Sequence, residues 1–395
     1  MMNQHTQFSA GKPPCRMLVA GVGGGAGRIL ERIGAEWPEP PPMVAINTDI
    51  QALSALTVVR PLQIGRAMAK GMGTGGDAGL GRRAVTEDLD ALRELVADYD
   101  LLLLVASLGG GTGTGAAPVV ARIAREEGLL VLAYVTTPFT FEGARRQEQA
   151  QEGIASLRQH ADAVVTLPNE RLHAMLSPTT PLPEAFSFVD KMMGAGLRGL
   201  WTLLTRDNIL NLDFSDLQTL VENSGSACCF GYGEGRGPDR VEQALAQLLE
   251  GPMLDRGRVI ANSGAMILCV TGGPDLALTE LQTLSRRLQD TARQGASVVM
   301  GAAVFDGWSG RLALTLLAAE HWMPPAVKPK APHGGGLFDE TVAGDAQPAA
   351  KRHKRGAPAP ASDRGMFKDV QPTLHEGVDL DIPTHMRRGI RISSN

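Results

Sequence analysis

The chain has 395 residues, which at roughly 150 residues per domain allows two domains and a tail, a size that needs neither disulfides nor a structural metal to build a core. Hydrophobic residues at 43% and charged residues at 20% are ordinary globular usage, which excludes a wholly disordered chain. Lys and Arg number 38 against 42 Asp and Glu, a net charge of −4 that argues against a global electrostatic footprint for nucleic acid.

From Arg16 onward short apolar runs alternate with helical patterns. The pattern predicts strands at 17–22, 43–47, 101–106, 129–136 and 163–167, separated by helices at 28–33, 80–97, 116–127 and 142–159. Such alternation implies a parallel sheet covered on both faces, a Rossmann-like α/β domain over 16–183. A long helical pattern over 184–208 follows. The segment 209–322 then carries helices from 215, at 240–249 and at 278–291, with strands at 265–271, 297–305 and 312–318, which reads as a smaller α+β domain with a mixed sheet. Residues 1–15 are polar and are expected to be disordered. Residues 323–377 are rich in Pro, Ala and Gly around the basic cluster Lys351-Arg352-His353-Lys354-Arg355, and are expected to be a disordered linker with a reach of about 40 Å. Residues 378–395 are amphipathic again and read as a docking peptide.

No apolar run approaches the ~18 residues of a membrane span, and the N-terminus lacks a signal-peptide core, so the cytoplasm is the expected compartment. Cys15, Cys228, Cys229 and Cys269 have no C-x-x-C spacing and fit buried thiols rather than a zinc site or disulfide framework.

The 47 glycines are about 12% of the chain against an average near 7%, and they gather where predicted strands end, which is where open α/β sheets bind ligands. The first loop, Gly21-Val-Gly23-Gly24-Gly25-Ala26-Gly27, fits a dinucleotide fingerprint, with Asp49 about 20 residues on as a candidate ribose acid. A dinucleotide-dependent oxidoreductase is therefore one reading. The second loop, Gly109-Gly110-Gly111-Thr112-Gly113-Thr114-Gly115, adds a denser phosphate cradle that a dehydrogenase does not need. The third, Gly71-Met-Gly73-Thr74-Gly75-Gly76-Asp77, could close over an outer phosphate. No P-loop lysine motif occurs, so phosphate charge falls to backbone N–H groups and Mg²⁺. Glu142 and Arg146 follow another strand end and could meet ribose and phosphate. Asn211-Leu-Asp213-Phe-Ser-Asp216 reads either as a helix cap with a first-turn acid or as two carboxylates that position water.

These loops, in this order, resemble the tubulin/FtsZ superfamily and more closely FtsZ, a cell-division GTPase family, over about 16–320, with Gly109 to Gly115 as the signature. The segment Asp379-Leu-Asp-Ile-Pro383-Thr-His-Met-Arg-Arg388 also resembles the family's C-terminal peptide. The resemblance implies GTP as substrate and GDP as product, with Mg²⁺ bound mainly through the nucleotide phosphates. It implies phosphate contacts from Gly23, Gly24, Gly25, Ala26, Gly27, Arg28, Gly110, Gly111, Thr112, Gly113 and Thr114, and a γ-phosphate loop of Gly73, Thr74, Gly75 and Gly76. Glu142 would hold ribose, Arg146 phosphate, Phe186 would stack on guanine, and Asn169 and Asp190 would read its edge. Asp213 and Asp216, supported by Asn211, would enter the pocket of the next subunit and orient the attacking water. The same resemblance implies head-to-tail homopolymers in a mid-cell ring, assembly regulators, and FtsA-like or ZipA-like adaptors bound to residues 378–391, with indirect membrane contact. An alternative within the family is a paralogue that binds GTP, hydrolyses weakly and acts as a division regulator. Three departures stand out: Arg28 for a usual Asn, Ser107-Leu108 for Gly-Met, and Asp207-Asn208 for a frequent Pro-Gly.

Overall fold

The computed structural model describes residues 15–319, apart from 38, 178, 206–207, 223 and 225–226, together with 374–375 and 378–379. Most of the expected N-terminal segment, linker and docking peptide, and Asp207, lie outside the described residues. The chain forms two compact units, Met1–Val327 and Lys328–Asn395. In the second, the described residues make a short antiparallel ladder, Leu374–His375 against Val378–Asp379.

The first unit is built on one ten-stranded sheet. Its strands are β1 (Met17–Val22), β2 (Met43–Asn47), β3 (Arg60–Gln63), β4 (Leu101–Ser107), β5 (Leu130–Thr137), β6 (Ala163–Pro168), β7 (Ala227–Arg236), β8 (Ala265–Gly272), β9 (Ser297–Val304) and β10 (Arg311–Ala319). They lie in the order β3-β2-β1-β4-β5-β6-β7-β10-β8-β9. The first seven run parallel; β10 is antiparallel to both its neighbours, and β8 pairs parallel with β9. A short ladder, Val164 and Val165 opposite Ala227 and Cys228, joins the parallel half to the mixed half. The sequence divides these halves at the long helix; in three dimensions one sheet runs through both.

The strands are apolar throughout because both faces are covered. In β4, Leu101, Leu103 and Val105 enter one core while Leu102, Leu104 and Ala106 enter the other. On the first face lie α1 (Gly24–Ala35) and the long α9 (Leu182–Thr205), whose 24 residues span about 36 Å. Gly196 of α9 lets the helix approach closely, since a Cβ there would stand 3.0 Å from Phe230 and 3.1 Å from Tyr134. The other face is covered by α4 (Ala78–Thr86), α5 (Leu89–Val96), α6 (Gly111–Glu126) and α7 (Ala144–His160). The short helices α2 (Ile50–Ser54), α3 (Arg66–Ala69) and α8 (Asn169–His173) complete this half. Beyond α9 come α10 (Phe214–Glu222), α11 (Arg240–Glu250), α12 (Arg258–Asn262) and α13 (Leu278–Thr291); α11 and α13 bury a third core against β8 and β10.

Four differences from the sequence reading have physical causes. Helix 1 starts at Gly24 rather than 28, and helix 6 at Gly111 rather than 116, so the glycine loops are themselves first helical turns. The glycines are required there because α6 lies against the backbone of α4: a Cβ on Gly115 would stand 2.0 Å from Ala78 O, and one on Gly81 would stand 2.4 Å from Gly111 O. The predicted helix over 80–97 is two helices, broken where Asp88 turns outward to accept from Gly65 N–H at 2.7 Å. Strand β7 escapes prediction because Gly231, Gly233 and Gly235 fill every second position. That glycine face is what α11 packs on, since a Cβ at 233 or 235 would stand 2.0 or 1.9 Å from the carbonyls of Ala244 and Arg240.

Candidate functional site

At the carboxyl ends of β1 and β4 two helix N-termini converge. Gly23 takes φ +89° to turn the chain from β1 into α1, and a Cβ there would stand 2.9 Å from Gly113 N, so the two glycine loops lie back to back. Gly110 caps α6 from the second loop. Unpaired N–H groups and the positive dipole ends of α1 and α6 therefore face one cleft of about 560 Å³, a setting for anionic oxygens. Gly73, Thr74 and Gly75 border it from the third loop, where Gln149 Nε2 donates to Gly76 O at 3.0 Å. Behind the loops, Thr48 Oγ1 lies 2.8 Å from Thr112 Oγ1, which lies 3.4 Å from Thr74 Oγ1.

Eight residues along α1 from Gly24, about 12 Å at helical rise, Arg32 pairs with Asp190 of α9. Burial raises the Asp190 carboxyl to about 6, with Arg32 opposing and Glu36 adding to the rise. Asn169 is 7% exposed, and its buried Oδ1 has no hydrogen-bond partner among the described residues, an acceptor waiting for a donor. Phe186 meets Phe139 edge-on at 5.5 Å, and Phe139 stacks on Phe141 at 5.1 Å, leaving an aromatic wall beside these polar groups. Glu142 accepts from Phe139 N–H at 2.9 Å and from Arg146 Nη1 at 2.7 Å. Arg28, one turn after Gly24, reaches back along its own helix, donating from Nε to Gly24 O at 3.3 Å. A nucleoside polyphosphate fits this layout: cradle for phosphates, then a sugar-length interval, then an aromatic wall with an acceptor pair.

The cleft gathers Gly23, Gly24, Gly25, Arg28, Gly73, Thr74, Gly75, Gly110 to Gly113, Glu142, Arg146, Asn169, Phe186 and Asp190 from the sequence reading. Four of the residues expected to bind nucleotide do not line it. Ala26 is a buried residue of α1, Gly27 faces Ala45, Gly76 is tied to Gln149, and Thr114 accepts from Gly109 N–H at 2.9 Å, shaping the loop from inside. Asn211, Asp213 and Asp216 lie outside it, at the start of α10. There Asp216 Oδ2 accepts from Asp213 N–H at 3.1 Å, and Asn211 Oδ1 accepts from Asn208 N–H at 2.8 Å. Sequence reasoning missed Arg32, Asn47 and Ser107, which also line the cleft. Arg32 was detectable as the residue one turn beyond Arg28 on the same helix face. Asp49 lines the cleft, but its Oδ1 is committed to capping α2, accepting from Gln51 and Ala52 N–H at 2.9 and 3.1 Å.

Over residues 16–177 the chain matches the tubulin/FtsZ family GTPase domain, and over 225–320 the FtsZ family C-terminal domain. Among solved structures it is similar to an empty FtsZ dimer from M. jannaschii, with 32% identity and a TM-score of 0.72, covering 77% of this chain and 88% of that one. A GTPγS-bound protofilament of CetZ2 from Haloferax volcanii shares the fold at 23% identity and a TM-score of 0.63, covering 77% and 92%. CetZ from Methanosaeta thermophila does so at 19% and 0.64, covering 78% and 87%. The dinucleotide-oxidoreductase reading falls with this result. The chain belongs to the tubulin/FtsZ family, a GTPase family, and carries the family's GTPase domain followed by an FtsZ-type C-terminal domain.

Proposed function

We propose that this protein is a self-assembling GTPase of the bacterial cytokinetic ring that binds GTP in the glycine-lined cleft and hydrolyses it between successive subunits. The observation that carries the reading is a division of labour: the cleft carries the glycine cradle and the polar groups beside the aromatic wall, while the acid pair, exposed Asp213 and half-buried Asp216, stands elsewhere. Apolar side chains are exposed at both places. Met72 is 79% and Phe141 69% exposed at or beside the cleft, and Ile209 is 67% exposed beside the acids. Stacking one subunit's α10 end on the next subunit's cleft covers both patches and brings the carboxylates to the phosphates. The M. jannaschii relative described as a dimer accords with self-association.

In such a shared site the backbone N–H groups of α1 and α6 hold the phosphates, Asp190 and Asn169 select guanine, and Asp213 and Asp216 orient water for attack on the γ-phosphate. The work is positioning and electrostatics rather than covalent catalysis. A Mg²⁺ ion bound mainly through the phosphates would offset their charge; among the described residues no cluster of three or more His, Cys, Asp or Glu is arranged to hold a metal. Among the described residues no helix is long and apolar enough to cross a membrane. Membrane attachment at mid-cell would instead run through residues 378–391 and FtsA-like or ZipA-like adaptors. Turnover per subunit that rises with protein concentration is the expected result; turnover independent of concentration overturns the shared site.

A second reading is a GTP-binding paralogue that assembles, hydrolyses slowly and regulates division. Arg28 favours it, because an added cation in the cleft retains nucleotide. GTP-specific pelleting without phosphate release would select it.

A further inference from the structure

Thr48 follows β2 and is wholly buried, and Thr112 and Thr74 are each more than nine-tenths buried. The three hydroxyls form a chain of two contacts, Thr48 to Thr112 at 2.8 Å and Thr112 to Thr74 at 3.4 Å. Thr112 and Thr74 line the cleft; Thr48 does not.

Proton counting allows this chain to run in either direction. Each threonine hydroxyl has one proton to donate and two lone pairs to accept with. A buried hydroxyl needs a partner, and among the described residues the partner of the Thr48 hydroxyl is Thr112. Either hydroxyl of that contact can be the donor; when Thr48 donates, Thr112 keeps its own proton for another acceptor. With Thr48 donating, the Thr112 proton is free to turn towards Thr74 and the cleft. The Thr112 to Thr74 contact is at the long end of hydrogen bonding, so it yields readily to a better acceptor such as an anionic phosphate oxygen.

We propose that Thr48 is a positioning residue that orients the Thr112 hydroxyl as a donor to the terminal phosphate of a bound nucleoside triphosphate. The proposal rests on the nucleotide reading of the cleft and adds a residue that touches no ligand. It also links the end of β2 to the third glycine loop, so the loop's contact with Thr112 loosens when a terminal phosphate is present.

The test measures GTPγS and GDP affinities of the full chain by displacement of a fluorescent guanine nucleotide, with thermal midpoints recorded alongside. Thr48→Val, which removes the hydroxyl and keeps the shape, is expected to weaken GTPγS about three- to tenfold while leaving GDP unchanged, as loss of one neutral hydrogen bond implies. Thr48→Ser restores the preference for triphosphate. If Thr48→Val does not fold, Thr48→Ala replaces it in the same comparison. Equal losses for both nucleotides, no change, or a Thr48→Ser protein that behaves like Thr48→Val overturns the proposal. Wild-type protein that binds neither nucleotide overturns the cleft assignment itself, and the positioning role with it.

Discussion

Arg32 of α1 reaches Asp190 of α9, so the carboxylate we propose for guanine recognition is held by a cation from the same helix that opens the phosphate cradle. The pair fixes the distance between the two functions of the cleft through one rigid element. It also leaves Asp190 in an unusual electrostatic position, buried and only partly compensated.

Because burial lifts the Asp190 carboxyl to about 6, the preference for GTP over ATP should decline as pH falls through that value. The ionised form accepts from the guanine N1 and N2 donors; the protonated form cannot accept both. Competition binding of GTP against ATP between pH 5 and pH 8 checks this, and a preference flat across that range contradicts it.

The same group costs stability near neutral pH. A raised folded-state value means the native state holds the proton more tightly than the unfolded chain, so the contribution is full below the ordinary carboxylate value of 3.8 and is lost as pH rises through about 6. Asp190→Asn should therefore raise ligand-free stability at pH 7.5 by about 1 kcal/mol, read as a higher Tm, once screening through half-exposed Arg32 is allowed for. The gain should shrink towards pH 4.5. The variant should also lose most of its discrimination against ATP, tying the stability cost to the recognition it serves.

Arg28, Arg32 and Arg146 are the cations lining the cleft, and among the described residues Arg32 and Arg146 have carboxylate partners. Arg28→Ala should weaken GTP and GDP binding by about 10- to 100-fold, the range for a lost charge-assisted hydrogen bond. It should also flatten the dependence of affinity on salt. Weaker binding with an unchanged salt dependence would show that Arg28 acts through shape rather than charge.

Asp213→Ala should abolish turnover and leave GTP binding intact, because the residue lies outside the cleft of its own subunit. Asp216→Ala should do the same and additionally lower stability by about 1 kcal/mol, since Asp216 accepts from Asp213 N–H at the start of α10. Mixing Asp213→Ala with an Asp190→Ala protein is the sharper measurement. Each supplies the half-site the other lacks, so phosphate release by the mixture should exceed the sum of the separate rates. Release equal to that sum counts against a shared site.

Gly233→Ala and Gly235→Ala should each cost about 2–3 kcal/mol, lowering Tm by roughly 5–10 °C, because the new methyl meets backbone carbonyls of α11 that cannot swing away. Gly307→Ala, where no atom stands within 4 Å of the added carbon, should change stability by less than about 0.5 kcal/mol. Thermal melts of the three proteins test whether the alternating glycines are a packing face.

By itself the sequence determined the parallel half of the sheet and the location of the phosphate cradle. The runs in β1, β4 and β5 are continuous and apolar because both faces are buried, and the glycine loops follow them where open α/β sheets bind ligands. Tertiary packing decided what local pattern could not. The glycines at 111, 115, 233 and 235 look like loop residues, yet they lie in helix and strand because a neighbouring backbone crowds the space a side chain would need. Thr114 and Ala26 belong to the loop motifs but face inward, and Arg32 and Thr48 belong to no motif but act on the cleft or behind it. Which way a side chain faces is set by long-range neighbours such as Asp190, 158 residues from Arg32, and sequence periodicity carries no record of that distance.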